Sequence, residues 1–219
     1  MNCKLRLRFS KTGKARYISH LDLMATMRRA LLRAGLELKY SEGFNPHPYM
    51  SVALPLSVGC GSICELMDIG TTVDLLPDGL PDIINSVLPE GLDVIDVYKS
   101  ERKFSNISWI EVSGILYYDA GAPHNVAERL SGRFKEESIV ISKKTKSGIS
   151  DIDISPYIKD ISFIQRGEVM MSVKLSAQNP SINPENLMSA LTGAYESINP
   201  DFYSFTRTEV FDRDMCVFQ

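Results

Sequence analysis

The sequence predicts an α+β fold made of tandem ferredoxin-like (βαββαβ) units with antiparallel sheets. Three observations predict it. Segments of strand and helix period follow one another as strand, helix, strand, strand, helix, strand over residues 4–99. A polar stretch, residues 100–106, then reads as a linker. Beyond it the same order of elements recurs, with no residue-level identity between the halves. This places an N-terminal unit at residues 1–104, which carries the candidate site, and a C-terminal unit at residues 105–219.

The elements follow in order. In residues 4–10, Leu5, Leu7 and Phe9 alternate with Lys4, Arg6, Arg8 and Ser10, the period of a half-buried strand. Ser19 opens a helix, and Asp22, three residues on, suits the return half of a capping box. Leu23, Met24, Met27, Ala30, Leu31 and Ala34 fall on one helical stripe. Gly35 is placed to end the helix in the left-handed conformation. Residues 36–40 form a short lead-in strand, and residues 41–49 carry too much Gly, Asn and Pro for regular structure. Residues 50–58 and 65–73 read as a strand and its hairpin partner, with Pro55 marking an edge or a bulge. A helix over 80–88 and a strand over 92–99 complete the first unit. In the second, a strand over 109–118, a helix over 122–134 and a strand over 138–143 precede a polar loop. A hairpin of 161–166 and 168–175, a helix over 183–195 with Pro184 at its first position, and a strand over 202–211 close it.

The charge is uneven along the chain. Residues 1–50 carry ten Lys/Arg against three Asp/Glu, and residues 51–120 carry three against eleven. A basic segment in a chain of net charge −3 implies a local anionic partner. The competing outcome is that the acidic segment neutralises the basic one inside the fold. Helices should cover one face of each sheet, so Lys4, Arg6 and Arg8 should project from the other, a solution suited to a nucleic-acid backbone. No apolar run is long enough to span a bilayer, and Met-Asn-Cys-Lys-Leu-Arg lacks the apolar core of a signal peptide, so a cytoplasmic protein without membrane contact is expected. Four scattered cysteines, at 3, 60, 64 and 216, form no secreted-type disulfide framework.

Candidate chemistry concentrates in residues 11–49. Lys11, Lys14 and Arg16 flank Gly13 ahead of the Ser19 helix, a combination that resembles an anion cradle but matches no nucleotide-binding fingerprint. His20 falls in the first helical turn, and His47 is framed by Pro46 and Pro48. Tyr17, Tyr40, Ser41, Asn45 and Tyr49 add rings, hydroxyls and an amide, a mixture suited to a nucleobase as well as to catalysis. Asp22, Glu42 or Cys60 could add a metal ligand to the histidines, but no tight spacing supports one, so no metal or cofactor is expected. Cys60 and Cys64 lack the third cysteine of a radical S-adenosylmethionine (radical SAM) motif, since position 67 is Met67. They read as two small buried thiols.

The stretch Arg-Tyr-Ile-Ser-His-Leu-Asp-Leu at 16–23, with Arg29-Ala30, Arg33-Ala34-Gly35, Tyr-Ser-Glu-Gly-Phe-Asn-Pro-His-Pro at 40–48 and Ala-Leu-Pro-Leu at 53–56, resembles the bacterial radical SAM-linked protein family. That family is also known as domain of unknown function 2344. The resemblance covers about the first quarter of the chain. It implies a radical SAM partner encoded as a separate chain, and a connection to RNA through neighbouring genes for a ribonuclease and ribosomal proteins. Three functions stay open. One is an accessory protein that binds RNA (tRNA or rRNA), or presents it to the partner enzyme, through Arg6, Arg8, Lys11, Lys14, Arg16, Tyr17, His20, Tyr40, Ser41, Asn45 and His47. The second is a protein–protein adaptor. The third is an enzyme acting on RNA or a nucleotide, with His20 and His47 as acid and base. The sequence favours the first and leaves catalysis undecided.

Overall fold

Period-two alternation at the start of the chain sets the layers of the N-terminal unit. In the computed structural model, which describes residues 3–72, 78–145 and 148–219, β1 (Cys3–Lys11) buries Leu5, Leu7 and Phe9. Leu23, Met27 and Leu31 of α1 (His20–Arg33) and Leu80 and Ile84 of α2 (Leu80–Asn85) close over them. The expected Ser19 cap of α1 forms, with Ser19 Oγ accepting from the Asp22 N–H at 3.1 Å, but the return half differs: the Asp22 carboxylate accepts from the Ser19 hydroxyl, at 2.7 Å, in place of the Ser19 backbone N–H. Gly35 follows the helix at φ +83°, a conformation cheap only for glycine.

Along the chain, β2 (Met50–Val52) pairs β3 (Gly61–Thr71), β3 pairs β1, and β1 pairs β4 (Leu92–Lys99), every ladder antiparallel. The strand order is β4-β1-β3-β2. Two expectations are corrected. The strand expected over 50–58 has only three residues, because Leu54 turns to φ +47° and Pro55 has no N–H to donate. The lead-in over 36–40 reduces to isolated bridges, Leu38 to Thr71 and Tyr40 to Pro48. The partner strand begins at Gly61, four residues before expected, and residue 73 of the expected range lies outside the described residues.

Residues 1–106, with Gln219, make up this first unit, and residues 107–218 the second. The second holds β5 (Trp109–Tyr117), α3 (Val126–Arg133), β6 (Val140–Thr145), β7 (Gly148–Asp153), β8 (Ile158–Arg166), β9 (Glu168–Ser176), α4 (Pro184–Ser189) and β10 (Phe202–Phe211). Its sheet runs β10-β5-β9-β8, again antiparallel throughout. Gly114 lets β5 and β10 pack, since a Cβ there would stand 2.8 Å from the Phe205 ring. The strand expected over 138–143 does not join that sheet. As β6 it forms a separate hairpin with β7, which the polar Gly-Ile-Ser-Asp-Ile-Asp sequence conceals. The helix expected over 183–195 ends at Ser189, and a 3-10 turn over Gly193–Ile198 takes its place, opened by Gly193 at φ +60°. The chain is thus a mixed α+β protein with antiparallel sheets and few, short helices.

Candidate nucleic-acid interface

The β1 ladders decide what becomes of the basic first strand. Arg6 pairs in register with Asp68 of β3 on one side and with Tyr98 of β4 on the other. Its Nε donates to Asp68 at 2.7 Å and its Nη2 to the other carboxylate oxygen at 3.1 Å. The same Nη2 donates to Ser100 Oγ at 2.8 Å and to the Arg102 carbonyl at 2.6 Å. The Phe104 ring lies 4.4 Å from the guanidinium. Arg6 is therefore wholly buried, and Asp68 is 2% exposed. This corrects the expectation that Arg6 projects from an open sheet face: the polar 100–106 stretch, read as a linker, folds back as a cover. Lys4 remains half-exposed and also reaches Asp68, at 2.6 Å. Arg8 is half-buried and Lys11 buried, so Lys11 does not join an exposed anion cradle. Burial raises the pKa of Tyr98, beside Arg6, while Arg6 and Arg8 oppose the rise.

Two groups of candidate residues remain at the surface. The first surrounds a 3-10 turn, Gly13–Tyr17, with Gly13 at φ +52°. Lys14 and Tyr17 are exposed there, as is His20 at the start of α1. Arg16 Nε donates to the Gly59 carbonyl at 2.6 Å while the Gly59 N–H donates back to the Arg16 carbonyl at 2.9 Å. Arg16 thus straps the turn to the segment preceding β3. The second group is the loop 41–48, closed at its neck by the Tyr40–Pro48 bridge. Ser41 Oγ accepts from the His47 N–H at 3.0 Å, and the Ser41 N–H donates to the His47 carbonyl at 2.8 Å. Tyr40, Phe44, Asn45 and His47 are all exposed around this neck.

The two groups do not share a sheet end. Gly59 precedes the first residue of β3, Gly61, whereas Tyr49 bonds Gly70 near its last. Nine strand steps, about 30 Å, lie between. Among the described residues no hydrogen bond or ion pair joins His20 to His47, and no group of three or more His, Cys, Asp or Glu could hold a metal ion. Cys60 and Cys64 are buried, and Ser62 Oγ faces Cys64 Sγ at 3.7 Å.

With this geometry in view, comparison with known proteins is informative about kinship alone. The family described as "Uncharacterized protein conserved in bacteria (DUF2344)" matches residues 4–184. The chain belongs to this family. No curated protein matches the chain. Among solved structures it is similar to an unknown protein from Galdieria sulphuraria at 9% identity, covering 94% of this chain and 99% of that one, with a TM-score of 0.27. It is also similar to Thermus thermophilus Cse3 bound to an RNA representing a pre-cleavage complex, at 13% identity, covering 92% and 98%, with a TM-score of 0.21. At such TM-scores neither likeness carries an argument.

In this family member, sequence reasoning missed Lys39, Asp68 and Phe104. Lys39 stacks its ammonium 5.7 Å from the Tyr49 ring. A signal for Phe104 was present, a lone large ring inside an otherwise polar stretch. Asp68 gave none, because its partner is 62 residues away. Among the described residues no helix is long and apolar enough to cross a membrane.

Proposed function

We propose that the chain is an accessory protein of the cytoplasm that binds RNA through its N-terminal unit and works beside a separately encoded radical SAM protein. In this reading both units are ferredoxin-like, supported by the strand orders β4-β1-β3-β2 and β10-β5-β9-β8. The observation that carries the RNA reading is the pair of exposed groups along β3. Lys14, Tyr17 and His20 stand at one end, and Tyr40, Asn45, His47 and Tyr49, with the half-buried Lys39, at the other. Cations that meet phosphates and rings that accept stacked bases are the parts of a single-strand interface. A separation of about 30 Å suits an extended strand better than a compact ligand. The radical SAM partner rests on the sequence resemblance.

Filter binding to tRNA and rRNA across a salt series tests the reading. The expected result is binding that falls steeply with salt, as release of counterions requires. Binding no tighter than to a charge-matched control protein, or with a flat salt dependence, overturns it. One observation favours the adaptor reading instead: Leu21 is 77% exposed and Phe44 fully so, apolar side chains held out from the core. Co-purification with the radical SAM protein from nuclease-treated extract separates that reading from bridging by RNA.

A further inference from the structure

Beside the neck of the 41–48 loop, the N-terminal unit holds a cavity of about 480 Å³. Its wall includes Lys4, Lys39, Tyr49, Ser51, Asp68 and Gly70. Sites for small molecules span roughly 300–1,000 Å³, so the space suits a ligand of that class. Glycine at 70 lets Tyr49 pack closely in this wall: a Cβ there would stand 3.0 Å from Tyr49 Cβ, which would have to give way, and 3.5 Å from Lys39 Cβ, an ordinary contact.

The charge of the wall selects the ligand's sign. Asp68 is 2% exposed and already engaged by Arg6 through both oxygens and by Lys4 at 2.6 Å. The wall itself carries Lys4 and Lys39 beside Asp68. The two ammonium groups line a partly desolvated space, where attraction for an anion is stronger than in open water. The rings select its shape. Lys4 Nζ lies 5.9 Å from the Phe104 centroid and Lys39 Nζ 5.7 Å from that of Tyr49, while Tyr49 keeps 51% of its surface open. An exposed ring beside one ammonium group, with a second ammonium in the same wall, accepts a planar group stacked on it and a negative group next to that. The Ser51 hydroxyl, in the same wall and exposed, offers a donor and an acceptor to a sugar.

We infer that this cavity binds one nucleotide unit, its phosphate held by Lys4 and Lys39 and its base stacked on Tyr49. The inference rests on the RNA reading for its source, one nucleotide of a strand, although a free mononucleotide presents the same chemistry.

Calorimetric titration of the full chain tests it. The probes are the four ribonucleoside 5′-monophosphates, inorganic phosphate, and a short 5′-phosphorylated oligouridylate. Lys39→Gln and Tyr49→Leu change side chains at the cavity mouth, Gly70→Ala displaces the wall without removing charge or ring, and Lys135→Gln in the other unit is the charge control. Thermal melts confirm that each variant folds. The expected result is tighter binding of at least one mononucleotide than of phosphate, weakened about tenfold by Lys39→Gln and by Tyr49→Leu, less by Gly70→Ala, and unchanged by Lys135→Gln. An oligonucleotide bound more tightly, with the same losses, identifies a strand as the source. Mononucleotide binding without tRNA or rRNA binding keeps the cavity and removes the RNA reading. RNA binding that neither Lys39→Gln nor Tyr49→Leu alters overturns the cavity and leaves the RNA reading standing. Binding of none of the probes, and of no RNA, overturns both.

Discussion

The two units share a strand order, and an ion pair in each sits at a different depth. In the first, Arg6 and Asp68 meet across β1 and β3 with almost no solvent contact, under Ser100, Arg102 and Phe104. In the second, Lys174 meets Asp160 at 2.7 Å with its partner carboxylate 67% exposed, and an exposed Lys159 lies 4.0 Å over the Trp109 ring. Such an exposed pair contributes about 0–1 kcal/mol, whereas a buried pair broken on one side leaves an uncompensated charge. A sheet face left free by its helices is therefore not by that fact a binding face. Which cations stay available depends on what the flanking segments lay over them. In the first unit the cover engages Arg6 and leaves Lys4 at its margin.

The largest change tied to this contrast should come from removing one partner of the buried pair. Asp68→Ala should cost about 3–5 kcal/mol in urea unfolding, because Arg6 keeps its charge with no carboxylate beside it. Asp160→Ala should cost no more than about 1 kcal/mol. The double replacement of Arg6→Met with Asp68→Leu should recover most of the loss, as it removes both charges and keeps the volume. If Asp68→Ala proves no worse than Asp160→Ala, the pair is not what anchors β1 to β3.

A middling effect should come from two glycines of the second unit. A Cβ at Gly114 would stand 2.8 and 2.9 Å from Phe205 ring carbons and 3.1 Å from Met171 Cε. Gly114→Ala should therefore destabilise by about 1–3 kcal/mol, the usual cost of overpacking. At Gly132 in α3 an added methyl would meet nothing within 4 Å, and the backbone there is ordinary helix. Gly132→Ala should stabilise by about 0.5–1 kcal/mol by reducing the freedom of the unfolded chain. Equal effects at the two positions would contradict the close packing of β5 on β10.

The contrast also explains what the sequence could and could not disclose. The layer order of β1, the Ser19 cap and the apolar stripe of α1 are local patterns, and all three are present in the fold. The burial of Arg6 is not local. It requires Asp68 in register across a ladder and Phe104 folded back from a polar stretch. The separation of the two exposed groups was hidden for a related reason. Residues 16–20 and 40–48 are near in sequence, but α1 and the run into β2 carry the chain from one end of β3 to the other. The β6–β7 hairpin escaped because its strands are short and half of β7 is polar, so hydrophobic periodicity has little to register.

The smallest effect concerns a carboxylate that the second unit keeps at its surface. Asp153 Oδ1 accepts from the Ile139 N–H at 2.9 Å and the Ser155 N–H at 3.0 Å, and from the Ser155 hydroxyl at 2.8 Å. These donors, the backbone N–H of Ile139 first, hold its pKa well below the ordinary 3.8. A carboxyl with a depressed native pKa stabilises the fold fully above its unfolded value and loses that contribution as the pH falls toward the native value. Asp153→Asn keeps an oxygen acceptor and removes the charge. At neutral pH the wild-type Tm should therefore exceed that of Asp153→Asn. The gap should narrow as the pH falls through 3.8 and continue to close below it. A gap that stays constant with pH would mean that the amide serves the turn less well than the carboxylate for a reason other than its charge. The stabilisation would then lie in the hydrogen-bond geometry of residues 139–155 and owe nothing to ionisation.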